Sequence, residues 1–193
     1  MTAPAIILFV LFVIAPFIYG LYTSFFQWDG LSEMKYIGTQ NYSFVFQDKN
    51  YWSALGNTFK YALVVTVLKN GLGLALALLI VKQVRGKGLF RTSLYMPVTF
   101  SYVVIGVLWT WIYNPTFGIL NSFLTKVGLG SLIQGWLSDP NVALYSVAWV
   151  DIWKWIGFHM VLYLAGLQGV PNELYEAAEI DGAGKFQKFW SIT

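Results

Sequence analysis

A chain of 193 residues with 57% hydrophobic and only 11% charged side chains is not the composition of a soluble domain, where charged residues make up about 25%. It contains no cysteine, which excludes disulfides and thiolate metal sites, and no motif points to a cofactor or any other metal. The net charge of +3 is small, so where the cations sit says more than their sum.

Four stretches are apolar and long enough to cross a bilayer, which predicts an all-α polytopic membrane protein. The first lies within residues 1–28, which carry no charge, and its apolar part, 4–26, would span about 35 Å as a helix. That run exceeds the apolar region of a signal peptide, no basic residue precedes it, and no A-x-A-like site follows. A retained helix is therefore expected. Residues 27–55 are turn-rich, and Tyr42, Phe44, Phe46, Tyr51 and Trp52 suit the headgroup belt where aromatic rings settle.

The second span covers 56–81 and is interrupted by Lys60, Lys69 and Asn70. Its pairs Gly71/Ala75 and Gly73/Ala77 are small residues four apart, which let another helix approach closely. Lys82, Arg85, Lys87 and Arg91 follow with no acid among them. So short a cluster between two spans marks the cytoplasmic side better than it marks a nucleic-acid patch, so no nucleic-acid partner is expected. The third span, 92–113, stops at Asn114-Pro115.

Ile119, Leu120, Phe123, Leu124 and Val127 then share one helical face, bounded by Asn114-Pro115 and Gly128. This segment is too short to span and predicts a helix lying along the interface. Trp136 and the Asp139-Pro140 turn lead into the fourth span, 142–167. Segments 27–55 and 114–141 are then outside, while loop 82–91 and everything from Gln168 are inside.

The spans contain polar residues that need an account. Lys69 and Asn70 lie mid-span, where burying a lysine costs about 3 kcal/mol on insertion scales. Asp151 and Lys154 are three apart and can pair on one face, with His159 two turns from Asp151. These five form the candidate solute pathway, with Trp153, Trp155 and Tyr163 offering surfaces for a sugar ring. For Asp151 and Lys154 an internal ion pair that eases insertion is the better reading; for Lys69 both stay open.

The C-terminal segment VPNELYEAAEIDGAGKFQKFWSIT predicts a helix–glycine–helix hairpin. Pro171 suits a first turn, Glu173 and Glu176 suit the positive end of the helix dipole, and Gly182 stands where a helix ending near Asp181 needs a left-handed residue. Phe186, Phe189 and Trp190 continue at helical spacing with Lys185 and Lys188 between them. The chain has no G-x-x-x-x-G-K-[ST], so any ATP hydrolysis belongs to a partner.

Glu176-Ala177-Ala178, three residues, Gly182, nine residues and Ile192 resemble the cytoplasmic signature loop of ATP-binding-cassette importer permeases. That signature continues with one residue and Leu-Pro; this chain stops at Thr193. SFFQWDG, NPTFGILN, WLSDPN and the run from LAGLQGVPNE onward look like the carbohydrate-uptake branch, first of two non-identical permeases.

The resemblance implies a type I importer permease fold, with residues 1–193 a transmembrane permease domain holding four of an expected six helices. It implies a non-enzymatic subunit in a bacterial or archaeal cytoplasmic membrane. The implied partners are a second permease in a heterodimer, ATP-binding ATPase subunits, an external solute-binding protein and a solute, a sugar. Glu176, Ala177, Ala178, Asp181, Gly182 and Ile192 would couple to the ATPase. Two other functions fit the sequence: a secondary transporter relaying protons through Asp151, Lys69 and His159, or a membrane sensor or assembly protein. Internal repeats, usual in secondary transporters, are not evident.

Overall fold

The computed structural model describes residues 2–81 and 86–192, so Lys82, Arg85 and Thr193 of the expectations above lie outside the described residues. The chain resolves into two units, Met1–Thr58 and Phe59–Thr193.

In the first unit, α1 (Ala3–Thr23) exposes almost its whole apolar surface, with Phe12 70% and Phe17 68% accessible. A helix apolar on all sides needs lipid around it, not water. Pro16 has no N–H to donate, and its ring crowds the carbonyl of Phe12. The helix answers with a π turn at Val10–Ile14, where the Ala15 N–H reaches back five residues to the Val10 carbonyl.

Residues 27–55 are more ordered than the turn-rich composition suggested. A two-residue hairpin pairs β1 (Phe26–Gln27) with β2 (Lys35–Tyr36), Phe26 opposite Tyr36. At its tip Asp29 Oδ1 accepts from the Leu31 N–H (2.9 Å), the Ser32 N–H (2.7 Å) and the Ser32 hydroxyl (2.7 Å). Asn41, on α2 (Gln40–Gln47), donates its amide to the Ser24 and Phe26 carbonyls left open where α1 ends. Asp48 then opens α3 (Lys49–Val81) by accepting from the Asn50 N–H at 2.8 Å. The second span therefore begins at Lys49, not at residue 56. Trp52 donates its indole N–H to the Phe46 carbonyl (2.8 Å), and Phe46, Tyr51 and Trp52 form an exposed aromatic cluster, as an interfacial belt requires.

The second unit is organised by α7 (Pro140–Gln168), which starts on an Asp139 side-chain cap. Val65 of α3 packs with Ala148 and Ile152, and Ala77 and Ile80 pack with Met160 and Leu164. Contacts advance together along both helices, so α3 and α7 run parallel. A Cβ at Gly73 would sit 2.7 Å from His159 Cβ, so the helices touch there. Of the two small-residue pairs, only Gly73/Ala77 is buried; Gly71 and Ala75 are exposed.

The expected straight helix over 92–113 is not formed. Instead α4 (Lys87–Tyr95) passes through a 3-10 turn (Met96–Thr99), and α5 (Tyr102–Ile112) leaves at 101° to it. Pro97 lacks the N–H to continue the ladder, Phe100 and Ser101 are extended, and Ser101 Oγ caps the new helix through the Val104 N–H. A Cβ at Gly157 would overlap the Leu94 carbonyl, so α7 lies directly on the α4 backbone. After Asn114-Pro115, α6 (Ile119–Lys126) buries Asn121 and Leu124 and leaves Ile119, Phe123 and Val127 exposed, the pattern of a helix lying on the interface. By length and composition α1 and α3 can cross a membrane, and the bent pair counts as a third. At 29 residues α7 matches them in length, with Asp151, Lys154 and His159 along it.

The Asp29 turn gives a pH-dependent prediction. Hydrogen bonds from Ser32 and Leu31 hold this exposed carboxyl at about 2, below its ordinary 3.8. A lowered value means the turn has its full stabilisation above the ordinary value and loses it as pH falls through 2. Asp29→Ala should reduce hydrogen-exchange protection of the Leu31 and Ser32 amides about tenfold near neutral pH, screening by water keeping the effect modest. Equal protection in variant and wild type would show that the anion does not hold the tip.

Candidate functional site

Two sets of residues carry the functional expectations, the C-terminal hairpin and the polar cluster inside the helices. In the hairpin, α8 (Asn172–Ile180) begins directly after Pro171, with Glu173 in its first turn. Asp181 ends it and Gly182 follows at φ +75°, a conformation in which a Cβ meets the backbone. The Gly182 N–H donates to the Glu179 carbonyl at 3.1 Å and the Ala183 N–H to the Ala178 carbonyl at 2.8 Å. This paired closure satisfies the last carbonyls of α8 and fixes the exit of the chain.

Helix α9 (Lys185–Ser191) then folds back, and Lys188 Nζ bonds Glu179 Oε1 at 2.6 Å. The bond and the charge of Lys188 hold the Glu179 carboxyl below its ordinary range. This clip between the two short helices was not anticipated; the opposite charges nine residues apart were its only sequence trace. Glu176, Ala177 and Asp181 are exposed, Ala178 is half-buried, and the Ile192 N–H closes α9 on the Lys188 carbonyl. Beside the acids, Ile180, Phe186 and Trp190 expose 87%, 79% and 79% of their surface. The hairpin therefore presents large apolar side chains as well as acids at its surface.

Inside the helices the expected pairing is corrected. Asp151 bonds Lys69 of α3, Nζ to Oδ2 at 2.6 Å, and not Lys154 on its own helix. Lys154, only 2% exposed, points to the break between α4 and α5 instead. Its ammonium donates to the carbonyls of Phe100 (2.6 Å), Val98 (3.2 Å) and Pro97 (3.3 Å). Of the three, only the Pro97 carbonyl also accepts a backbone amide among the described residues, from Phe100 at 3.3 Å, and a cation with three N–H groups meets this cluster of acceptors better than it would meet one carboxylate. The Tyr102 ring, 4.9 Å away, adds a cation–π contact.

Asn70 donates to the Thr66 carbonyl and accepts from the Tyr163 hydroxyl at 2.7 Å, tying α3 to α7 again. Trp155 donates to the Tyr102 hydroxyl at 2.7 Å, and Trp153 packs edge-on to Trp109 at 5.4 Å. His159 packs against Gly73. All five expected residues therefore fall on the α3–α7 contact or on the break, and Lys69, Asn70, Asp151 and Lys154 each bond across to another element. What stays open is a cavity of about 220 Å³ with Asp151, Lys154, Tyr61 and Tyr102 in its wall.

Helices of membrane length thus carry internally paired charges and lead into an exposed, glycine-closed hairpin. Residues 69–193 match the family of the binding-protein-dependent transport system inner membrane component, and the chain belongs to that family, whose members are transport components and not enzymes. It is 40% identical over 193 residues to the probable ABC transporter permease protein YurN of Bacillus subtilis, covering 98% of this chain and 66% of that protein. To the probable starch degradation products transport system permease protein AmyD of Thermoanaerobacterium thermosulfurigenes it is 32% identical over 190 residues, covering 98% and 64%. A crystal structure of a bacterial ABC transporter involved in import of the acidic polysaccharide alginate superposes with a TM-score of 0.80 at 27% identity, over 98% of this chain and 63% of that one. The type I importer permease fold is thus the fold found. The chain spans slightly under two-thirds of the length of these relatives.

The Lys69–Asp151 pair can be tested by a double-mutant cycle. Lys69→Leu or Asp151→Leu alone leaves one charge between helices without its partner and should destabilise the membrane-embedded protein by about 3 kcal/mol. The double variant should recover most of that loss, read as thermal unfolding midpoints in lipid nanodiscs. A double variant no more stable than the worse single would mean that the two charges are not coupled.

Proposed function

We propose that this chain belongs to a transmembrane permease subunit of an ATP-driven importer of sugars, forming part of the solute pathway, and that its C-terminal hairpin is the element through which an ATPase partner moves it. The observation that carries the reading is the hairpin itself. Its Gly182 closure and Glu179–Lys188 clip make a rigid unit, and only Gly169, Val170 and Pro171 separate it from α7. A push on the hairpin therefore reaches the helix that holds Asp151 and Lys154. The chain has no nucleotide-binding loop of its own, so the energy comes from outside it.

The relatives' names, which include starch degradation products and diacetylchitobiose, and the alginate importer support a carbohydrate as solute. A second permease, two ATPase subunits and an external binding protein complete the assembly; one related structure holds a periplasmic protein bound to an alginate pentasaccharide. We place loop 82–91 and the hairpin in the cytoplasm, and residues 27–55 and 114–141 outside. The parallel run of α3 and α7 supports this, because a net single crossing must then lie between them, and the bent α4–α5 pair supplies it. Lys69, Asn70, Asp151, Lys154 and His159 line the solute path only where the small cavity reaches them; their first task is to hold the helices together.

Topology is tested with single cysteines in intact cells. A cysteine at Ser32 should react with an impermeant thiol reagent, while one at Gln187 should react only after the membrane is opened. Labelling of the Gln187 position from outside would invert the assignment.

Coupling is tested in the assembled transporter. Gly182→Val strains a left-handed backbone position by about 1 kcal/mol or more, and Ala178→Trp puts a bulky side chain where the proposed partner would pack. Both should abolish uptake and binding-protein-stimulated ATP hydrolysis while leaving membrane insertion intact. Stimulated hydrolysis at the wild-type level in both variants would remove the hairpin from the coupling path.

A further inference from the structure

Helix α9 carries three aromatic side chains, and they do not share one environment. Phe186 and Trp190 are each 79% exposed, whereas Phe189 is half-buried. Phe189 lines an open cavity of about 220 Å³, whose other walls are Leu74 of α3 and Leu162, Tyr163, Gly166 and Leu167 of α7. A Cβ at Gly166 would meet nothing within 4 Å, so the missing side chain there leaves space free. The chain joins the hairpin to α7 alone, through residues 169–171. At the Phe189 cavity α9 faces α3 as well.

The walls of that cavity belong to the contact that holds the two long helices together. Tyr163 and Leu167 pack against the buried cluster of Ala77, Ile80, Met160 and Leu164, where α3 and α7 meet. The Tyr163 hydroxyl donates to Asn70 Oδ1 at 2.7 Å, one residue from the Lys69 that bonds Asp151. Leu167 also lines a larger open groove of about 760 Å³, which Leu78 and Leu79 of α3 share with Asn172 and Tyr175 of α8. Folded interiors are close-packed, so a hairpin with space beside both of its helices is not jammed against its support and can rock on it.

We propose that Phe189 is a positioning residue: when the hairpin is pushed, its ring enters the cavity and bears on Leu74 and Tyr163, so that the movement reaches α3 and α7 together. The proposal rests on the reading of the hairpin as the coupling element. The size fits. A dry cavity of about 150 Å³ takes up benzene, so 220 Å³ has room for a phenyl ring. The chemistry fits as well, because the walls are apolar apart from the Tyr163 hydroxyl, which Asn70 already occupies. Phe186 and Trp190, open on the same helix, line no part of this cavity.

The test uses the complete, assembled transporter in lipid nanodiscs, read as ATPase co-purification and as hydrolysis stimulated by loaded binding protein. Phe189→Ala should keep its ATPase subunits at the wild-type ratio, yet lower kcat of stimulated hydrolysis about tenfold with KM for ATP unchanged. Phe189→Leu, which still fills much of the ring's volume, should recover most of the rate. Gly166→Leu, which occupies the cavity and leaves Phe189 in place, should lower the rate in the same way. Wild-type stimulation in Phe189→Ala or in Gly166→Leu would overturn the proposal. Loss of co-purification in Phe189→Ala, with the variant inserted in the membrane, would put the ring at the partner's surface and overturn it too. If Phe189→Ala does not insert, Gly166→Leu decides alone. Gly182→Val separates the two readings. Wild-type stimulation in that variant removes the hairpin from coupling altogether; its loss there but not in Phe189→Ala removes only the role of Phe189.

Discussion

Inside a bilayer a helix cannot break without giving its freed carbonyls a donor, because no water is there to take them. Here the donor is Lys154. Its three N–H groups meet the carbonyls of Pro97, Val98 and Phe100, and the chain turns by 101° around that ammonium. Burying a lysine costs about 3 kcal/mol on insertion scales. Each hydrogen bond from a charged donor returns about 1.5–3 kcal/mol. Three such bonds at one site therefore offset the burial, and the acceptors gain as well. The direction of α5 follows from this contact, and with it the position of everything up to the start of α7.

The same helix is held from its other faces by contacts that only glycine allows. Gly157 lets the Leu94 carbonyl come into van der Waals range, and Gly73 of α3 does the same for His159. Between them the Lys69–Asp151 and Asn70–Tyr163 bonds bridge α3 and α7 at two levels. Packed interfaces of this kind switch between discrete arrangements more readily than they deform. In the proposed coupling, α7 would carry movement of the hairpin to the break as a body, since it is clamped on three elements at once.

Much of this was legible in the residues. The Asn114-Pro115 stop, the Asp139-Pro140 start and the left-handed Gly182 all rest on local chemistry, in which a few neighbours decide the backbone. The break after Pro97 was also written there, as a proline followed by a Ser101 cap, but a run of apolar residues hides such punctuation when length and hydropathy are weighed first. The partner of Asp151 was not legible at all. Helical spacing offers Lys154 three residues on, and nothing local says that Lys69 on another helix will take its place. Spacing reports who shares a face; it does not report which face another helix meets. The carbonyls that claim Lys154 exist only because the chain bends, so that error followed from the first.

The π turn in α1 has a geometric consequence. One residue added to a single turn rotates everything after it by about 100° about the helix axis relative to what precedes it. Side chains before Val10 and after Ile14 that regular spacing would stack in one stripe therefore point in different directions. Ile6 and Phe17, both exposed, belong to two separate azimuths. A helix packed along one half of α1 would therefore find the other half turned away from it.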